Sequence, residues 1–206
     1  MDLSSILGKI KEELDEKDRR REEVFAIARE VRRVSTKAIR EIHKENFEAA
    51  ERLLLKIKEM VKSLGQPDRS FTFIQDALQE YAEASLTYAF IKKTVPPTPE
   101  ELGIPSEAYI LGLADTIGEI RRHILDDMRK DRYENLEEYL DILDELYHGI
   151  MAFDYPSAIL PIRRKQDIAR LLLDKTRGEV TLALKLVKLE KKLEEADGEV
   201  EQQRSG

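Results

Sequence analysis

Apolar residues recur every three or four positions along almost the whole chain, which is the period of one face of an α-helix. Leu3, Ile6, Leu7, Ile10 and Leu14 begin the pattern, a charged run from Asp15 to Glu23 interrupts it, and Val24, Ile27, Ala28, Val31, Ser35, Ala38, Ile39 and Ile42 resume it. This predicts one long helix, or two nearly continuous ones, over residues 3–43. A second helix is predicted over 46–64, with Phe47, Ala50, Leu53, Leu54, Ile57 and Val61 on one side and Gly65-Gln66-Pro67 as its stop. A third covers about 70–92. It turns Ile74, Ala77, Leu78, Tyr81, Ser85 and Tyr88 inward and leaves Asp76, Glu80, Glu83 and Thr87 on the opposite stripe. A fourth covers 105–130 around Ile110, Leu113, Ala114, Ile117, Ile120 and Ile124, with Asp115 and Glu119 off that face. A fifth covers 134–152 through Leu136, Tyr139, Leu140, Leu143, Leu146, Tyr147 and Ile150. The last runs from Arg163 to about Ala196. Its apolar positions, Ile168, Leu171, Leu172, Val180, Leu182, Leu184 and Val187, recur at mixed spacing, which implies burial on more than one side and hence a partner. No strand pattern and no internal repeat interrupts this, so the fold class is all-α.

The third and fourth helices carry the candidate chemistry. Between them lie Pro96-Pro97-Thr98-Pro99, Gly103 and Pro105, which no helix crosses, so the chain goes up one helix and returns down the next. Glu80 and Glu83 stand one turn apart on the first, and Asp115 and Glu119 one turn apart on the second. At about 1.5 Å rise per residue both pairs lie roughly 15–18 Å from the turn, at matching height. Four carboxylates at one level repel unless a cation joins them. Because both pairs lie off the predicted apolar faces, spacing alone favours a plain acidic solvent face. Gly112, Ala114 and Gly118 permit close backbone approach at this level.

Composition narrows the classes. The chain has 206 residues, 37% of them charged, a net charge of −7 and no cysteine. It is long enough for one large core, and no Ser/Gly-rich linker divides it, so a single domain over 1–206 is expected, with a polar, fraying tail over 197–206. Without cysteine there is no disulfide, zinc-thiolate site or thiol catalysis, which fits the cytoplasm. No apolar run is long enough to span a membrane, and no signal-peptide pattern is present. The negative net charge means that any nucleic-acid contact must come from local basic stripes. One such stripe is Arg29, Arg33, Lys37, Arg40 and Lys44, nearly opposite the apolar face of the first helix. A solvated face and a phosphate track both fit it.

Three segments, in order, resemble the translin/Trax family, and its Trax side more than its translin side. They are Leu78 to Ala84 (LQEYAEA), Gly112 to Glu119 (GLADTIGE), and Tyr155 to Thr181 (YPSAILPIRRKQDIARLLLDKTRGEVT). The resemblance implies a seven-helix protomer in a closed, hollow shell, an octamer formed alone or with a translin-like chain. It implies binding of single-stranded RNA or DNA and a metal-dependent endoribonuclease with carboxylate ligands, carried over onto Glu80, Glu83, Asp115 and Glu119. Carboxylates are hard ligands suited to Mg²⁺ or Mn²⁺, which would polarise a phosphoryl oxygen and lower the pKa of a bound water. Arg33, Lys37 and Arg40, with Arg163, Arg164 and Lys165, are the candidate RNA-phosphate contacts. The last three could equally pair with acids of a neighbouring subunit. His43, His123 and His148 are scattered and fit structural or exposed roles, with a peripheral role open to His123.

Three rival readings exist. A non-catalytic nucleic-acid-binding shell would make the acids surface. An all-helical nucleotide pyrophosphohydrolase also pairs ExxE with a later acidic pair, but spaces that pair by three where this chain uses four. A ferritin-like di-iron bundle needs Glu-x-x-His twice, which these acids do not supply.

Overall fold

The computed structural model describes residues 2–64 and 72–204. Among them are seven helices and no strand: α1 (Leu3–His43), α2 (Phe47–Ser63), α3 (Thr72–Lys92), α4 (Pro99–Leu102), α5 (Ser106–Arg129), α6 (Leu136–Met151) and α7 (Arg163–Arg204). The all-α expectation holds, and α1 is one continuous helix. The expected Gly65-Gln66-Pro67 stop of α2 lies outside the described residues. The helix of α7 runs on through Arg204. None of the described helices is long and apolar enough to cross a membrane.

The chain divides into two compact units, Met1–Thr116 and Ile117–Gly206, with the boundary inside α5. In the first, α1, α2 and α3 pack together around Val31, Val34, Ile57, Ile74, Leu78, Tyr81 and Leu86. Full burial in α1 begins only at Ala28, with Val24 and Ile27 packed against this core, so residues 3–23 stand outside it. The proline segment holds a helical turn that hydrophobic spacing could not reveal. Thr98 and Glu101 form a reciprocal capping box, Pro99 occupies the first helical position, and Gly103 closes the turn at φ 69°. Leu102 and Ile104 are buried, and the Tyr109 hydroxyl donates to the Pro97 carbonyl at 3.0 Å, which ties the turn to the start of α5.

In the second unit, Ile117, Ile120 and Ile124 of α5, Leu136, Leu143 and Ile150 of α6, and Ile162, Leu173 and Val180 are buried. The Gln166 side chain donates to the Ile150 carbonyl at 2.8 Å and to the Phe153 carbonyl at 2.9 Å. It thereby adds a bond to carbonyls at and just past the end of α6 and fixes the entry of α7.

Within the first unit α5 meets α3 at Gly112. A Cβ placed on Gly112 would lie 2.6 Å from the Ala82 Cβ, 2.6 Å from the Gln79 carbonyl oxygen and 2.9 Å from the Glu83 backbone nitrogen. Two of those atoms are backbone and cannot swing aside. Gly112→Ala should therefore destabilise the protein by about 1–3 kcal/mol through overpacking. Gly178 of α7 has nothing within 4 Å of such a Cβ, and Gly178→Ala should stabilise by about 0.5–1 kcal/mol through helix propensity. Urea denaturation of the two variants against the parent measures both signs.

Candidate nucleic-acid and metal site

The contact at Gly112 decides where the acids stand. Asp115 follows it by about one turn of α5, and the α3 residues it touches are Gln79 to Glu83. Asp115 is thus brought level with the Glu80–Glu83 turn, and the Gln79 side-chain amide donates to Asp115 Oδ2 at 2.6 Å. On the other side of Glu80, Arg32 of α1 donates through Nε to Glu80 Oε1 at 2.8 Å. Glu80, Glu83 and Asp115 are all half-buried, whereas Asp76 is exposed.

This corrects the expectation that the acidic stripe of α3 is the face opposite its core. Thr87, on the same stripe, is fully buried. The small side chains of Ala77, Ala82, Ala84, Ser85 and Ala89 let neighbours close in around α3 on nearly every side. Asp115, likewise expected to lie well off the packed face of α5, is tied to α3 through Gln79.

Glu119 lies one turn beyond Asp115 along α5, in the second unit, half-buried, with an Arg122 guanidinium nitrogen 3.8 Å from its Oε2. Among the described residues no three His, Asp or Glu side chains are gathered closely enough to hold a metal ion. Glu80 and Asp115 give oxygens to Arg32 and Gln79 instead.

The basic candidates divide. Arg33, Lys37 and Arg40 are exposed along α1. Arg33, however, grips Glu30 through two nitrogens at 2.6 and 2.7 Å, and Lys56 reaches the same carboxylate at 3.2 Å. The Arg33 hydrogen bonds, helped by Lys56, hold the Glu30 carboxyl down to about 2. Lys44 is paired with Glu41 at 2.8 Å, and Arg29 stands over the Phe25 ring. The stripe is therefore partly neutralised by its own helix. Arg163, Arg164 and Lys165 open α7 as expected; Arg163 reaches Asp154 at 3.2 Å, Arg164 is exposed and Lys165 is half-buried. His123 is buried beside Asp127 and edge-on to Tyr139, and His148 is exposed near Asp144, so both fit structural roles.

Two features escaped the sequence reading. One is Arg32, which sits beside the Arg29, Arg33, Lys37, Arg40 and Lys44 stripe. The other is an arginine cleft of about 440 Å³ in the second unit, lined by Gly118, Arg121, Arg122, Leu125, Asp126, Arg129 and Leu172. Arg122 and Arg129 are exposed, whereas Arg121 is buried and spent on Thr176 at 2.6 Å and Glu179 at 2.8 Å. A signal was present: positions 118, 122, 125 and 129 follow one another at helical spacing on one face.

No model of a known protein family matches the chain. It is 36% identical over 185 residues to an uncharacterized protein of Methanocaldococcus jannaschii, covering 87% of this chain and 83% of that one. AfC3PO shares its structure with a TM-score of 0.81 at 30% identity, over 89% of this chain and 98% of that chain. The chain belongs to the translin/Trax family. A second AfC3PO structure, in complex with duplex RNA, matches with a TM-score of 0.80 at the same identity and coverage. The apo form of NeC3PO shares the fold, with a TM-score of 0.78 at 23% identity over 86% of this chain and 96% of that one.

Within this translin/Trax-family chain the cleft arginines should separate by role. Arg121→Met removes the guanidinium that neutralises Glu179 and should cost about 1–3 kcal/mol of stability. Arg122→Met and Arg129→Met should stay within about 0.5 kcal/mol of the parent, as exposed substitutions do. Chemical denaturation of the three variants resolves the two groups.

Proposed function

We propose that the protein binds RNA and cuts it as an endoribonuclease dependent on Mg²⁺ or Mn²⁺, with Glu80, Glu83, Asp115 and Glu119 as the carboxylate set, inside an oligomeric shell. The observation that carries this is the α3–α5 contact at Gly112, which sets Asp115 against the Gln79–Glu83 turn. Its weight comes from the kinship with AfC3PO, a protein solved with duplex RNA. A plain solvent face would not bury these acids by half and hold two of them with hydrogen-bond donors.

The donor set suits a divalent ion in its chemistry, although among the described residues no three of these side chains are gathered closely enough to hold one. All four groups are hard oxygen ligands, and Glu80 and Asp115 already take hydrogen bonds from a guanidinium and an amide. When bound, the ion supplies Lewis-acid charge at the phosphate being cut. The protein's own part is to orient and neutralise. Arg32 fixes the rotamer of Glu80 and offsets its charge. Gln79 fixes Asp115. Arg122, next to Glu119, and Arg129, two turns on, line the cleft with positive charge that attracts the RNA backbone. Arg33, Lys37, Arg40, Arg163, Arg164 and Lys165 extend the contact to phosphates further away. The shell is a homo-octamer or a mixed assembly with a translin-like chain, and single strands are its preferred substrate. A nucleotide pyrophosphohydrolase is not favoured, because the kinship with C3PO covers nearly the whole chain.

Cleavage of labelled single-stranded and duplex RNA with Mg²⁺ or Mn²⁺, against EDTA, tests the reading. Asp115→Asn, Glu80→Gln and Glu83→Gln should each abolish metal-dependent cutting. Double variants should be no worse than singles, since the acids act as a unit. Exposed Asp76→Asn is the control and should cut normally. A second readout is independent of activity. Mn²⁺ should raise the melting temperature of the parent, as any ligand of the native state does, and Asp115→Asn should remove that rise. If Asp115→Asn cuts as well as the parent and keeps the Mn²⁺ shift, the carboxylate site is refuted and a binding-only shell remains. RNA binding has its own test. Converting Arg33, Lys37 and Arg40 together to Glu should weaken all RNA sequences alike and flatten the salt dependence of affinity by up to about three unit slopes.

A further inference from the structure

Two stretches of leucine have no place in either core. At the start of α1, Leu3, Leu7, Ile10 and Leu14 follow at steps of four, three and four. Near the end of α7, Leu182, Leu186, Leu189 and Leu193 follow at the same steps. This is the a/d seam of a coiled coil, four layers long in each case. All eight side chains are between 48% and 67% exposed. Among the described residues neither seam is covered, and each continues a helix whose packed part lies elsewhere. Eight large apolar side chains in two stripes are too many to leave to water.

We infer that the α1 seam of one chain packs antiparallel against the α7 seam of a second copy. The register follows from the spacing. An antiparallel coiled coil stacks each a position on a d position, which sets Leu3 against Leu193, Leu7 against Leu189, Ile10 against Leu186 and Leu14 against Leu182. All four layers are filled with no overhang. The flanking charges agree. Antiparallel neighbours meet e to e and g to g, so Lys11 meets Glu190 and Glu13 meets Lys185. The layer after Leu14 falls at Lys17 and Glu179, where Glu179 is held by Arg121 of its own chain at 2.8 Å and adds nothing to the pairing. The following one brings Arg21 opposite Lys175, a like-charged pair that ends the seam.

Other pairings of the same seams fit less well. Two α1 seams set Glu13 against Asp18 when parallel and Lys11 against Lys11 when antiparallel. A parallel α1–α7 pair sets Lys11 against Lys185 and Glu13 against Asp197. A parallel pair of α7 seams satisfies Lys185 with Glu190, but it leaves the α1 leucines in water. The α1–α7 pairing alone covers both stripes and repels nowhere within its apolar length. It is independent of the nuclease reading, since none of these residues belongs to the carboxylate set.

The absence of native cysteine makes a cross-linking test clean. Leu7→Cys and Leu189→Cys are introduced singly and together into the full-length chain, which is oxidised and run without reductant. The double variant should form disulfide-linked multimers and neither single variant should. Cross-linking of Leu189→Cys alone would replace the inference with an α7–α7 pair. A fast-running monomer with an internal disulfide, or no cross-link at all, would overturn it. In the double-cysteine background, Lys11→Glu and Glu190→Lys should each slow cross-linking about tenfold, the scale of one misplaced charge pair. The two together should restore the rate to within about threefold. Failure of that restoration would reject the pairing of these two residues and, with it, the register.

Discussion

The structure of the first unit turns on one missing side chain. At Gly112 the backbone of α5 lies against the backbone of α3, close enough that a methyl group would collide with the Gln79 carbonyl and the Glu83 amide. Two helices with ordinary side chains at their contact run 8–10 Å apart, roughly, so a smaller residue at the crossing is what lets them draw together. The gain is positional. Short carboxylate side chains on two helices can meet only when the helices are close, and Asp115 reaches the side chain of Gln79 because of it.

Around that contact the polar groups are arranged so that charge is never left alone. Glu80 has Arg32, Asp115 has Gln79, and Glu119 has Arg122 one turn away. Half-burial strengthens each of these interactions relative to water, and it raises the cost of removing a single partner. The same logic separates the arginines of the cleft. Arg121 is enclosed and committed to Glu179, whereas Arg122 and Arg129 are exposed with acids at i−3. Exposed pairs of that kind are worth little and exchange easily for a phosphate. An overall negative protein can therefore still offer a backbone of nucleic acid a path, because the relevant charges are local and loosely held.

The outlying helix ends present a different physics. α1 and α7 both extend well beyond the residues that bury anything, and both carry leucines there at the spacing of a coiled-coil seam. Isolated helix of that length is marginal in water. Pairing with another helix supplies the burial that the single chain lacks. An assembly built through such ends gives each subunit a reason to keep long helices that its own core does not need.

Periodicity alone determined most of the helical layout, since the spacing of Leu136, Leu143 and Ile150, or of Val31, Ala38 and Ile42, records which residues share a face whatever that face meets. It also placed Glu80 and Glu83 on one turn and Asp115 and Glu119 on another, because a helix fixes such neighbours locally. It missed the four-residue turn at Pro99–Leu102, which is made by capping and a left-handed glycine and not by hydrophobic repetition. It gave α3 a wider wet side than the structure has, because Ala82, Ala84 and Thr87 look neutral in a pattern and become interior only when other elements close over them. What only the tertiary structure decided was the company of each acid. Arg32 with Glu80 and Gln79 with Asp115 join residues 48 and 36 positions apart. No local rule connects such distances: the packing of α1 on α3 joins the first pair, and the close approach at Gly112 joins the second.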